Sequence, residues 1–172
     1  MSKVQLYPLQ TPLSRIDRHD QIPPTSLWLG AANDPTTGRD KLYTLVKHEN
    51  HLAVLVSYHN LKTHKYYCKQ FDFPLKALSW FPWALEEFRK PPAEGGLHAG
   101  AMISKDMDVA GEMLAVGSTT DGYDITNRSR NQQDPIGNYD PVRISLSWEF
   151  LYKLGFLALW KRLGEQHERG EL

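Results

Sequence analysis

The chain has a single cysteine, Cys68, so no internal disulfide is available to hold its parts together. A lone thiol in a strand-like pattern is a small core residue, and it suits a reducing, cytoplasmic compartment. Net charge is also missing: 20 basic side chains meet 20 acidic ones. That excludes a basic coat over the whole surface and leaves local patches open. Long hydrophobic runs are absent too. The most apolar stretch, residues 150–160, is interrupted by Lys153 and is far shorter than the roughly 20 residues that span a bilayer. Residues 1–10 contain no apolar core of signal-peptide length. Neither export nor a membrane partner is expected.

The sequence is equally poor in catalytic and cofactor motifs. It has no G-x-S-x-G elbow and no phosphate loop of the G-x-x-x-x-G-K form. Gly95-Gly96 follows prolines rather than opening a helix after a strand, so it is not a dinucleotide fingerprint. His48 and His51 have H-x-x-H spacing, but across a tight turn and without a companion ligand cluster. Asp106 and Asp108 form a D-x-D without the glycine a calcium loop needs. Glu86 and Glu87 are adjacent on a helix and point to different sides, a poor acid/base pair. No catalytic residue, metal or cofactor is therefore expected. An enzyme with a histidine-based site is the weakest of three functional classes considered.

What is present is a chain of 172 residues with 41% apolar and 11% aromatic side chains, enough for one domain with a full core. Residues 1–25 carry Pro8, Pro12, Pro23 and Pro24 and read as an irregular arm, with at most a short strand over 4–7. Residues 26–166 form the domain and 167–172 a tail. Strands are predicted over 26–32, 42–48, 52–59 and 65–73, with a tight turn at Glu49-Asn50. Pro74 is predicted in the first turn of a helix running to about Phe88, kinked or broken at Pro82. Further strands are predicted over 97–104, 111–118, 123–130 and 142–146, with a loop over 131–140. Ser147 then caps a final helix over 148–166. That helix is apolar on nearly every side through Trp160, which suggests packing against another subunit. The alternative is a central helix covered by its own sheets. The fold class is α+β: two antiparallel four-stranded sheets, each followed by a helix.

The chemistry-bearing feature is a basic, aromatic run. Between Arg39 and Gln70 six Lys/Arg face two acids, Asp40 and Glu49. Tyr43, Tyr58, Tyr66, Tyr67, Phe71 and Phe73 interleave with them. Alternation places Lys65, Tyr67, Lys69 and Phe71 on one face of a strand. Lysines neutralise phosphates and flat rings stack on unpaired bases, so this mixture suits single-stranded nucleic acid. Pattern alone fits slightly better a strand whose rings are core and whose lysines rim the solvent. A second polar patch is Asn127-Arg128-Ser129-Arg130-Asn131-Gln132-Gln133, rich in groups that meet phosphates and base edges. The candidate nucleic-acid contacts are Lys47, Lys62, Lys65, Lys69, Arg128 and Arg130 for phosphates, with Trp28, Tyr67 and Phe71 for bases.

The segment Lys65-Tyr66-Tyr67-Cys68-Lys69-Gln70-Phe71-Asp72-Phe73-Pro74-Leu75 resembles a stretch of the Whirly family that reads roughly K-Y-D-W-x-x-x-Q-x-F-x-L-S. There it forms the fourth strand and enters a helix. Val142-Arg143-Ile144-Ser145-Leu146-Ser147-Trp148-Glu149-Phe150 resembles the family's last strand and helix. The resemblance in layout covers about residues 26–166. It implies single-stranded DNA binding by two sheets set like blades, in a homotetramer centred on helices. The family's K-G-K-A-A-L-x-V motif falls near Leu29-Gly30-Ala31-Ala32-Asn33, and both of its lysines are absent here. Contacts at that strand, and assembly into larger oligomers, are therefore not carried over. The other class of function is a protein-interaction or assembly subunit that binds no nucleic acid, which zero net charge and the absent lysines favour.

Overall fold

Alternating apolar side chains between residues 41 and 73 leave one regular solution, a meander. In the computed structural model, which describes residues 4–97, 100–132 and 138–172, β1 (Leu27–Asp34), β2 (Lys41–His48), β3 (His51–Asn60) and β4 (Lys65–Pro74) form an antiparallel sheet in that order. Glu49 and Asn50, with φ of 50° and 61°, make the two-residue turn between β2 and β3. Helix α1 (Ala77–Arg89) follows. A second antiparallel sheet holds β5 (Met107–Val109), β6 (Glu112–Ser118), β7 (Gly122–Asn131) and β8 (Pro141–Ser147), also in order. A π-helical turn (Glu149–Lys153) and α2 (Phe156–Glu168) complete the chain. The architecture is the predicted α+β fold, with a helix after each four-stranded sheet.

Four local expectations are corrected. Residues 97–104 do not supply the fifth strand. Residues 98 and 99 lie outside the described residues, and of the rest only Ile103 makes an isolated bridge, to Gly117. The strand is instead Met107–Val109, overlapping the D-x-D segment: the Asp108 carboxylate accepts the Gly111 N–H and shapes the turn into β6. Pro74 ends β4 rather than opening α1. Pro82 lies inside α1 without dividing it. The final helix is divided, because Gly155 takes φ of 85°, which breaks the helical path between the π-helical turn and α2. Residues 133–137 of the predicted 131–140 loop lie outside the described residues.

The main core sits between the two sheets and the helices. Leu45, Leu52, Val54 and Phe73 meet Leu78, Phe81 and Leu85 of α1, Leu114, Ile125 and Leu146 of the second sheet, and Phe156 and Trp160 of α2. The Trp160 indole N–H donates to the Ala77 carbonyl at 2.9 Å, which joins the helices. Most of the apolar surface of the last segment is therefore satisfied within the chain. Trp148, Tyr152 and Leu154, from the π-helical turn and its flanks, remain exposed.

The arm is irregular, as expected, and has no strand over its described residues 4–7. It is also pinned along its length. The Gln10 N–H donates to the Ser129 carbonyl of β7, and the Tyr7 hydroxyl donates to Asp106, just before β5. Further on, the arm crosses the outer face of the first sheet. There Ile16 covers a small second core of Val46, Ala53, Leu55 and Cys68. Gln70 accepts the Ile16 N–H at 2.7 Å and donates to the Ser14 carbonyl at 3.2 Å. His48 is held between Ser14 and Ser26. Burial pushes the Cys68 thiol up, so it is a packing group rather than a nucleophile.

Candidate nucleic-acid interface

Strand β4 pairs with β3 so that Val54, Val56 and Tyr58 lie beside Phe71, Lys69 and Tyr67. These six side chains share one face of the sheet. Toward Phe73 that face is core. Toward Lys65 it runs past the core into solvent, and Lys65, Tyr67 and Lys69 are exposed. Tyr67 stacks on Tyr58 with ring centroids 5.0 Å apart, and the Arg39 guanidinium lies 5.1 Å from the Tyr58 ring centroid. Lys62 is exposed in the turn before β4, where the Asn60 side chain accepts its N–H. Among the described residues, none of Arg39, Lys62, Lys65 and Lys69 makes an ion pair. The result is an aromatic step bordered by unneutralised cations.

The remaining sequence-predicted residues are dispersed. Phe71 shares the face but packs against the main core and is half-buried. Lys47 sits opposite Leu52, at the far end of the sheet from Lys65, which pairs with Asn60. Along β3 that separation is roughly 27 Å. Trp28 is exposed, but it pairs with Val46 and so lies on the opposite face, on the edge strand away from β4. Arg128 is held 2.7 Å from Asp106, its charge matched. Arg130 is buried: its guanidinium meets Glu112 at 2.5 Å and donates to the Thr11 carbonyl at 3.1 Å. It binds the arm and the second sheet together and offers nothing to a ligand through those groups. Of the second patch, Gln133 lies outside the described residues.

Two members of the surface were not singled out from sequence as contacts, Tyr58 and Arg39. The signal that finds Tyr58 is register: the turn over 61–64 places it opposite Tyr67. Arg39 sits in a loop before β2, and no periodicity reports it.

No family model matches the chain, and no curated protein matches it either.

Proposed function

We propose that this chain is a sequence-tolerant, non-catalytic binding protein for single-stranded DNA or RNA, acting as a homo-oligomer. One observation carries it: Tyr67, pinned by its stack on Tyr58, is exposed between Lys65 and Lys69, and neither lysine has an acidic partner among the described residues. Bases stack on such a ring whatever their identity, and the lysines meet the backbone on either side. Two four-stranded sheets, each followed by a helix, agree with a Whirly-like layout. A reducing, cytoplasmic setting fits the buried Cys68 thiol. Self-association through the C-terminal helical region, up to a tetramer, is supported by exposed Trp148, Tyr152 and Leu154.

The test is an anisotropy titration of fluorescent oligo-dT at low salt. Binding that weakens steeply with salt and exceeds binding to a duplex of the same length is expected. No binding at micromolar protein overturns the proposal. Light scattering with and without the oligonucleotide reads the oligomer size.

A further inference from the structure

The first sheet ends in a cleft of about 720 Å³, walled by the segment entering β2, the β3–β4 turn and the arm at His19. Arg39, Lys62, His19 and His59 line it, against one acid, Asp40. On its wall, the Tyr66 hydroxyl accepts the His19 backbone N–H at 3.1 Å and lies 2.8 Å from His19 Nδ1. Nδ1 also lies 3.3 Å from Ser57 Oγ, and in the tautomer where it accepts from either hydroxyl the imidazole proton sits on Nε2. His19 then offers an N–H donor on a ring that lines the cleft. Tyr66 is itself fixed, with Arg18 4.4 Å from its ring centroid and His59 5.2 Å away on the neighbouring strand.

We propose that this cleft binds a nucleoside phosphomonoester, either a free nucleoside monophosphate or the 5′-phosphate end of a strand. A phosphomonoester carries nearly two negative charges and three acceptor oxygens, and it needs converging cations and N–H donors. Arg39 and Lys62 supply the first and His19 the second. The cleft volume is within the range of small-molecule sites. Tyr58 borders both this cleft and the Tyr67 stack; Ser57, His59 and Tyr66 line the cleft from the opposite face of the sheet, so a strand on the Lys65–Lys69 face places its end here by passing round the end of the sheet. The strand-end form rests on the function proposed above, whereas the free-nucleotide form does not.

Calorimetry compares adenosine 5′-monophosphate with adenosine, and competition compares 5′-phosphorylated with 5′-hydroxyl oligo-dT. The phosphorylated member of at least one pair is expected to bind about tenfold tighter or more, the worth of one charge-assisted contact. Preference within the first pair assigns the free nucleotide, and within the second the strand end. Arg39→Gln with Lys62→Gln should remove the preference, and Lys65→Glu with Lys69→Glu should leave monophosphate binding unchanged. Equal binding, or none, within both pairs overturns this site. Oligo-dT binding without any phosphate preference would overturn it while leaving the strand-binding function intact.

Discussion

The rings of Tyr58 and Tyr67 stack across neighbouring strands, 5.0 Å apart and 20° from parallel. The stack fixes the Tyr67 ring before any ligand arrives, so little rotamer entropy is lost when a base stacks on its open face. Tyr67→Ala should weaken oligo-dT binding by about 1–3 kcal/mol, while Tyr67→Phe should bind nearly as well as the parent. Anisotropy measures both. An unchanged affinity in Tyr67→Ala would remove the ring from the binding surface.

Lys65 and Lys69 flank that ring on the same exposed face. Each phosphate neutralised on a single strand contributes about 0.7 to the slope of log affinity against log salt. Lys65→Glu with Lys69→Glu should therefore flatten the slope by about 1.4 or more. A slope equal to that of the parent protein would assign these lysines to plain solvation.

The strands of the first sheet were legible because their alternation is regular and their turns are short. The site was legible only in part. Alternation identifies Lys65, Tyr67 and Lys69 as one face, but it cannot say where along the strand core gives way to solvent, so it groups the half-buried Phe71 with them and does not report Tyr58 on the neighbouring strand. Arg130 looked like its neighbour Arg128 in sequence; one is buried with Glu112 and the other lies half-buried beside Asp106. That difference depends on the arm, whose contacts with Gln70, His48 and Arg130 are too distant in sequence to leave a periodic trace. The break at Gly155 was hidden by the strong apolar pattern around it.

Arg130 and Glu112 are nearly inaccessible, with side-chain exposures of 5% and 3%. Arg130→Ala leaves the Glu112 carboxylate buried without its guanidinium, beside the Asn127 amide at 3.0 Å and the His51 ring at 3.5 Å. Breaking such a pair costs about 3–5 kcal/mol. Thermal melts should show this loss, and the salt slope of oligonucleotide binding should not change. Intact stability with lost binding would return Arg130 to the ligand surface.

Asp72 is buried beneath the arm, and burial raises its carboxyl above the usual range, with Gln70 and Arg130 opposing that shift. A raised folded value means that the native state keeps a proton that the unfolded chain has released. This contribution to stability is fully present below the unfolded value, about 4, and is lost as pH rises through the folded one. Asp72→Asn keeps an acceptor for the Gln70 amide and removes the charge. It should be more stable than the parent at pH 7, with the gap closing near pH 4. Urea midpoints at the two values check this, and a gap independent of pH would show that titration is not the cause.

Pro82 has no N–H to give the Leu78 carbonyl four residues back, so that oxygen lacks its helical partner. Gly164 of α2 packs directly on it. A Cβ there would collide with the Leu78 oxygen and lie 2.7 Å from its carbonyl carbon and 2.8 Å from the Ser79 Cα. The proline thus opens a place on α1 that only a glycine backbone fills, with a Cα–H directed at the freed oxygen. Gly164→Ala gains helix propensity on its own but forces the helices apart, and the neighbours are backbone atoms that cannot rotate away. A net loss of about 1–3 kcal/mol is expected, as for other overpacked cores. Pro82→Ala restores the N–H and should not rescue it, because the clash is with the α1 backbone itself. A Gly164→Ala protein melting at or above the parent temperature would show that α1 and α2 are free to separate at this crossing.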